Sequence, residues 1–168
     1  MFTRKLAISF SMKTFVFLLS LVISASIGLA QPVVVIVRHA EKAADGNDPD
    51  LSAAGRARAE ALARILKDAG ITAIFTSEFK RTQETAAPIA KSFGVTAIVV
   101  PAKDATALAA RLKELRGNAL VVGHGNTIPD LIKALGIETT IEIPENDYTE
   151  LLIVVLDRKP RLLRLHYP

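Results

Sequence analysis

Two arginines and two histidines stand where a phosphate group could be bound and transferred. Arg38 and His39 directly follow a run of β-branched residues at positions 33–37, and Arg81 and His124 each come shortly after another apolar run. Arginine offers a planar fork of donors that matches phosphate oxygens, and a neutral imidazole is a good nucleophile. These residue types together predict a small cationic pocket for a phosphoryl dianion, with the chemistry on an imidazole.

We assign the nucleophile to His39. Charge attraction alone is not catalysis, because a unit-charge contact at about 4 Å contributes only about 1 kcal/mol in water, whereas hydrolysis of phosphate monoesters can need an enhancement of about 10²¹-fold. A neutral His39 would attack phosphorus while the two arginines and His124 hold the equatorial oxygens, and water would then hydrolyse the phosphohistidine. The third histidine, His166, lacks such neighbours in the sequence and is interpreted as structural.

Other site chemistries fit the same residues less well. His39 and Glu41 have the H-x-E spacing of zinc deaminases, but the chain contains no cysteine to complete their zinc site. The Gly-His-Gly at residues 123–125 lacks the third glycine of a dinucleotide-binding motif, and there is no Walker-type phosphate loop and no histidine pair at metalloprotease spacing. We therefore predict neither a metal nor a cofactor.

The elements that must position these residues alternate along the chain. Apolar runs predict strands at residues 33–37, 73–76, 95–100, 119–122, 150–156 and 161–166, and amphipathic runs predict helices that begin at Ser52 or cover residues 80–92, 105–115 and 128–135. This alternation predicts an α/β fold with a largely parallel sheet. Ligands bind such sheets beyond the carboxyl ends of the strands, where segments 38–41, 77–81 and 123–127 fall.

Helix boundaries are marked by capping residues. Ser52 and Asp104 are predicted N-caps, and Gly70 and Gly136 are predicted helix ends. Pro88 falls inside the second helix and is expected to kink or shorten it.

The first thirty residues have the layout of a secretory signal peptide. Residues 1–13 carry three basic residues and no acidic one, an apolar run covers residues 15–23, and mostly small residues lead to Ala30. The pattern predicts cleavage after Ala30 and export to the periplasm or the exterior of a bacterial cell, with an uncleaved anchor or a helix of the fold as alternatives. Met12 could begin a shorter leader, and residues 31–168 are predicted to form one domain.

Charge and composition argue against nucleic acid as a ligand. The whole chain has 21 basic and 17 acidic residues, and three of the basic ones lie in the leader, which leaves 18 against 17 and a net charge of +1. The body contains three Phe, two Tyr and no Trp, so neither a basic stripe nor stacking platforms are present. Membrane contact is expected only through the leader, and the sequence indicates no oligomeric state.

Four blocks of sequence, in order, resemble the histidine phosphatase superfamily, which is phosphoglycerate mutase-like. Residues 37–41 are similar to the R-H-G motif, whose histidine is phosphorylated, and residues 51–55 resemble the L-[ST]-x-x-G helix start. Residues 76–86 are similar to the S-x-x-x-R-[AT]-x-x-T-A segment, and residues 122–127 resemble the loop of the second histidine. The blocks span most of the chain after the leader.

The resemblance implies a three-layer α/β/α sandwich. It also implies roles for individual residues: His39 as nucleophile, and Arg38, Arg81 and His124 as the phosphate pocket. Ala40 stands where the family usually has glycine, and its methyl group should restrict the loop modestly.

The resemblance leaves the general acid open. Family members that act on small esters usually carry a carboxylic acid that protonates the leaving group. Here the segment between the second arginine and second histidine is short, and Asp104 is better explained as an N-cap. Glu41 is the nearest candidate acid, with orientation of an arginine as its alternative role, and Glu145 and Asp147 are further candidates.

The sequence thus predicts an exported, metal-independent phosphatase that acts through a phosphohistidine on His39. Phosphorylated small molecules or envelope-derived phosphate compounds are the expected substrates, and the short insert implies an open site. The alternatives are a protein-phosphohistidine phosphatase and a module that binds phosphate or a phosphoglycan without turning it over.

Overall fold

Six strands form one sheet with helices on both faces in the computed structural model, which describes residues 31–43 and 46–168. The strands are β1 (Val33–Arg38), β2 (Ile71–Thr76), β3 (Ala97–Val99), β4 (Asn118–Gly123), β5 (Glu150–Val155) and β6 (Arg161–His166). The helices are α1 (Ala53–Ile65), α2 (Lys80–Phe93), α3 (Ala105–Glu114) and α4 (Ile128–Ala134). The predicted signal peptide at residues 1–30 lies outside the described residues.

The strand order is β3-β2-β4-β1-β5-β6. β1 pairs in parallel with β4, β4 with β2, and β2 with β3, whereas β5 runs antiparallel to both β1 and β6. The predicted α/β fold with a largely parallel sheet is confirmed. Because β1, β2 and β4 are parallel neighbours, their carboxyl ends meet at one edge of the sheet.

The central strand β1 is buried on both faces, which explains its continuous run of β-branched residues. Val34 and Ile36 pack in a core with residues of α3 and α4, such as Leu112. Val35 and Val37 pack in a second core with residues of α1 and α2. The helices therefore cover both faces, and the predicted three-layer sandwich is confirmed.

Local capping follows the sequence. The Ser52 side chain accepts a hydrogen bond from the Gly55 amide at 3.0 Å, and the Asp104 side chain accepts one from the Ala107 amide at 3.0 Å. Gly136 follows α4 with φ of +94°, a conformation that favours glycine. None of the helices within the described residues is long and apolar enough to cross a membrane.

Several predicted boundaries were wrong. β3 is shorter than predicted because it is an edge strand that pairs only with β2, over three residues. β2 begins at Ile71, ahead of a register shift that hides its first residues from a simple pattern. α1 ends at Ile65, before Gly70, and the remaining ends differ by a residue or so.

Pro88 does not shorten α2, which continues to Phe93. The helix buries Thr85, Ala86 and Ile89 on either side of the proline. Tertiary packing thus holds the helix across a residue that locally disfavours it.

Candidate functional site

The joint edge of β1, β2 and β4 brings the four predicted site residues together. Arg38, His39, Arg81 and His124 line one cavity of about 560 Å³. The rings of the two histidines lie edge to face, with centroids 5.3 Å apart and planes at 62°. Their residues are only 4% and 6% exposed, so both imidazoles are buried at the base of the cavity.

His39 is held as a neutral ring, and one of its two nitrogens has no hydrogen-bond partner among the described residues. Its Nδ1 lies 2.8 Å from the carbonyl oxygen of Ala40, and since a carbonyl only accepts, Nδ1 carries the proton. Burial lowers the pKa of His39 to about 4; the bond to Ala40 opposes this shift, and the neighbouring charged groups add to it. At neutral pH the Nε2 lone pair is therefore available for attack on phosphorus.

Ala40 fits where the resemblance expects glycine. Its methyl group is fully buried in a small cluster with Leu51 and Ala59, and its amide donates to Thr85 Oγ1 at 3.0 Å. No described residue other than glycine has a positive φ, so the loop needs no glycine conformation here. The substitution leaves the backbone beside His39 in an ordinary conformation.

Arg38 joins the cavity to the loop before β5. Its Nη1 donates to the carbonyl oxygens of Pro144 at 2.8 Å, of Asp147 at 3.3 Å and of Glu145. Its Cζ lies 4.5 Å from the centroid of the Tyr148 ring. The buried Nε has no partner among the described residues, which leaves a donor for an anion in the cavity.

Arg81 faces His124 from the first turn of α2. Its Nη2 lies 3.5 Å from His124 Nδ1, and its Nη1 lies 3.9 Å from Asp48 Oδ1. Its Cζ lies 4.3 Å from the centroid of the Phe79 ring. Each of the two site arginines is thus stacked on an aromatic ring, which restricts where its guanidinium can point.

His124 is fixed at its other nitrogen. Nε2 lies 2.9 Å from Ser77 Oγ, and the backbone amide donates to Thr127 Oγ1 at 3.3 Å. Burial lowers the pKa of His124 to about 4, Arg81 adds to the shift, and Glu78 opposes it. His124 is therefore neutral at neutral pH in this structure.

Glu41 does not face the cavity. Its carboxylate accepts from Arg58, with Nε at 2.9 and 3.0 Å from its two oxygens and Nη2 at 2.8 Å from one of them. Partial burial opposes ionisation, but the hydrogen bonds of Arg58 outweigh it and hold the pKa of Glu41 below its usual range. This arrangement matches the alternative role of orienting an arginine and does not favour the role of general acid.

The other candidate acids separate by position. Among the described residues that line the cavity, Glu145 is the one acidic residue. Asp104 caps α3, and Asp147 Oδ1 accepts from the amide and hydroxyl of Thr149 at 2.8 and 2.7 Å. Those bonds hold the pKa of Asp147 low, which suits an acceptor and not an acid.

Beside the cavity, one group of metal-ligand types occurs among the described residues. Asp147, Glu150 and His166 have ligand atoms within 4.8 Å of one another. Arg164 already forms an ion pair with the Glu150 carboxylate, and a bound cation would have to compete with that guanidinium. His166 Nδ1 lies 3.1 Å from Thr149 Oγ1, and His166 does not line the cavity.

Tyr148, Asn146 and Lys42 also line the cavity and were missed by the sequence reasoning. Tyr148 and Asn146 arrive on the loop that leads into β5. That loop reaches the site because β5 pairs antiparallel with β1, a pairing that no local pattern in the sequence specifies. The polar segment before β5 was visible in the sequence, but only its acidic residues, Glu145 and Asp147, were considered as site residues.

Comparison with known families supplies a further finding. The model of the histidine phosphatase superfamily (branch 1) matches residues 34–104, a segment that contains His39 and Arg81. His124 lies beyond the matched segment. Among curated protein sequences, none matches the chain significantly.

Solved structures share the fold. The protein histidine phosphatase SixA, in complex with tungstate, is 22% identical with a TM-score of 0.68, over 80% of this chain and 96% of that one. The alpha-ribazole phosphatase from Shigella flexneri is 18% identical with a TM-score of 0.66, over 80% and 96%. A mycobacterial glucosyl-3-phosphoglycerate phosphatase is 16% identical with a TM-score of 0.62, over 82% and 99%.

Proposed function

We infer that the chain belongs to the histidine phosphatase superfamily, whose branch 1 model matches residues 34–104, and that it is a metal-independent phosphatase that hydrolyses phosphate esters through a phosphohistidine on His39. The observation that carries the proposal is the state of His39. Its Nδ1 proton is held by the Ala40 carbonyl, and its low pKa keeps Nε2 free in a cavity lined by two arginines.

The reaction has two steps. His39 Nε2 forms a bond to phosphorus while the bond from phosphorus to the ester oxygen breaks, and the electron pair leaves with the alcohol, which gains a proton. Arg38, Arg81 and His124 hold the remaining phosphoryl oxygens and offset their charge. Water then attacks phosphorus and gives a proton to the carboxylate that protonated the alcohol, the bond to Nε2 breaks with its electron pair returning to His39, and inorganic phosphate leaves.

The proposed substrates are phosphorylated small molecules or envelope-derived phosphate compounds in an exported compartment. The leader pattern of residues 1–30 supports export. A cavity of about 560 Å³ is large enough for a substrate of small-molecule size. Glu145 is the proposed proton donor to the leaving group, because it is the one acidic residue among the described residues that line the cavity.

A protein-phosphohistidine phosphatase is the second candidate. It is favoured by the pairing of Glu41 with Arg58, which leaves no acid held directly beside His39 among the described residues. A phosphoramidate leaving group depends less on such an acid than an alkoxide does. The fold likeness to a protein histidine phosphatase is compatible with this candidate.

The first test measures hydrolysis of p-nitrophenyl phosphate by the full chain in the presence of EDTA. We expect the wild type and His166→Ala to be active, because His166 lies outside the cavity. We expect His39→Ala to lose at least about 1,000-fold in kcat, because the nucleophile is gone. Acid quenching should trap an acid-labile phosphoryl group on the wild type and none on His39→Ala.

Two results would overturn the proposal. Equal rates for wild type and His39→Ala would show that His39 is not the nucleophile. Loss of activity in EDTA would show that the enzyme depends on a metal. Binding of inorganic phosphate without turnover of any ester would favour the binding module. Faster release of phosphate from a phosphohistidine peptide than from alkyl phosphates would favour the second candidate.

A further inference from the structure

A chain of two hydroxyl groups lies behind His124, away from the bound phosphate expected in the cavity. Ser77 follows β2, and Thr82 lies in the first turn of α2. The two residues are 4% and 0% exposed. Ser77 Oγ lies 2.9 Å from His124 Nε2 and 3.0 Å from Thr82 Oγ1. Since each hydroxyl has one hydrogen, the direction of these bonds can be worked out.

The Thr82 hydroxyl donates its hydrogen bond to the backbone. Its Oγ1 lies 2.8 Å from the carbonyl oxygen of Phe79, the shortest of its contacts, and 3.2 Å from that of Ser77. Both carbonyls can only accept. Thr82 Oγ1 also accepts from the Ser77 amide at 3.1 Å. In the contact between the two hydroxyls, Ser77 is therefore the donor.

Ser77 then has no hydrogen left for the imidazole. Its Oγ accepts from the Phe79 amide at 3.3 Å and from His124 Nε2 at 2.9 Å, which places the proton of the neutral ring on Nε2. A second observation agrees. Arg81 Nη2 lies 3.5 Å from His124 Nδ1, and a guanidinium opposes a proton on the atom beside it.

We propose that Ser77, ordered by Thr82, is a positioning residue that keeps the proton of His124 on Nε2, so that Nδ1 faces Arg81 as a free acceptor and takes up a proton when phosphate binds. The proposal rests on the proposed function for the identity of the ligand. The proton comes from the P–O–H group of a phosphate monoanion, whose oxygen becomes negative and accepts a bond from the new Nδ1–H. No other bond changes.

The charges around His124 explain why the proton arrives with the ligand. Arg81 faces it from α2, Arg38 and His39 from the end of β1, and Glu78 from the loop between β2 and α2. In the free protein, burial and the two arginines outweigh Glu78 and keep the ring neutral. A phosphate group between the arginines and the ring reverses that balance, because its negative charge favours the imidazolium.

The test reads the tautomer directly. Two-bond proton–nitrogen correlation spectra of the ¹⁵N-labelled full chain at pH 7 are expected to show His124 with a protonated Nε2 and a pyridine-type Nδ1. His124→Gln assigns the signals by removing them. Addition of inorganic phosphate is expected to protonate Nδ1 while Nε2 keeps its proton. A protonated Nδ1 in the free wild type would overturn the proposal.

Two variants separate positioning from packing. Thr82→Val removes the acceptor for the Ser77 hydrogen without touching His124, so signals of a ring protonated on Nδ1 are expected to grow. Ser77→Ala removes the fixing group itself and should also mix the tautomers. Thr85→Val is the matched control, since it removes another buried hydroxyl of α2, one that bonds Ala40 and Arg81 and not Ser77. Its His124 tautomer should match the wild type.

Kinetics supply a second readout. We expect Ser77→Ala to lower kcat for p-nitrophenyl phosphate about tenfold with a smaller change in KM, because the loss falls on a group that acts on the phosphoryl oxygens. A wild-type tautomer in both Ser77→Ala and Thr82→Val would sink the proposal. Because the spectra need no turnover, an inactive protein with the expected tautomer would count against the proposed function alone.

Discussion

Uncharged surroundings, more than charged groups, set the protonation of the two site histidines. The backbone carbonyl of Ala40 selects the tautomer of His39, and burial, more than any charge, lowers the pKa of both histidines. Arg38 is held by the Tyr148 ring and by uncharged carbonyl oxygens, whereas Arg81 stacks on Phe79 and also lies 3.9 Å from the carboxylate of Asp48. A neutral imidazole beside fixed cations is the arrangement that the proposed attack on a phosphate dianion requires.

Substitutions of Glu41 and Glu145 can decide which of the two residues protonates the leaving group. Glu41→Gln is expected to change kcat less than about threefold and to lower the free energy of unfolding by about 1 kcal/mol, since it weakens the bonds to Arg58. Glu145→Gln is expected to lower kcat for an alkyl phosphate about 10- to 100-fold through loss of the proton donor. Its kcat for p-nitrophenyl phosphate should change little, because that leaving group needs no proton.

Steady-state kinetics with both substrates and urea unfolding provide the measurements. If Glu41→Gln lost activity toward the alkyl ester and Glu145→Gln retained it, the assignment of the acid would be reversed.

At the start of α1, the backbone of the helix packs against the backbone of the loop that follows β1. The Ser52 amide donates to the Glu41 carbonyl oxygen at 2.8 Å, and Gly55 lies directly against the same peptide. A Cβ atom at Gly55 would lie 2.2 Å from Glu41 O, a distance that no side-chain motion relieves. The glycine of the L-[ST]-x-x-G block is thus explained by the close approach of two elements.

Gly55→Ala should therefore displace α1 from the loop. We expect it to lower the free energy of unfolding by about 2–3 kcal/mol through overpacking, and to reduce phosphatase activity because Glu41 lies two residues from His39. Ala54→Ser, an exposed change on the same turn, should stay within about 0.5 kcal/mol of the wild type. Urea unfolding compares the two, and equal midpoints would contradict the close contact.

The elements themselves were mostly predictable. Alternating apolar and amphipathic runs located every strand and helix of the described chain, because periodicity reports which faces are buried. Packing overrides local preference at Pro88, which α2 passes without ending, and at the edge strand β3; the start of β2 and the end of α1 were also misplaced.

At the scale of the whole molecule, the two buried site histidines are expected to lower the free energy of unfolding at acidic pH. His39 and His124 have pKa values of about 4 in the folded chain against an ordinary 6.5, so the unfolded chain binds more protons between those pH values. The free energy of unfolding should therefore fall as the pH drops from 7 to 4, by about 1.4 kcal/mol for each pK unit of each histidine.

Urea unfolding at a series of pH values measures this slope. The double variant His39→Gln and His124→Gln should flatten it, whereas His166→Gln should leave it as in the wild type. An unchanged slope in the double variant would show that other groups govern acid unfolding.

Local sequence was sufficient for the α/β fold, for the order of its elements along the chain and for the four site residues that follow β1, β2 and β4. Short stretches of sequence show which segments are buried strands and which residues follow them. Arg38, His39, Arg81 and His124 could therefore be found from the sequence alone. The partner of Glu41, the arrival of Tyr148 and Glu145 and the tautomer of His124 needed the folded chain. Each depends on side-chain distances between segments far apart in sequence, set by how β5 pairs with β1 and how α1 and α2 pack on the loops.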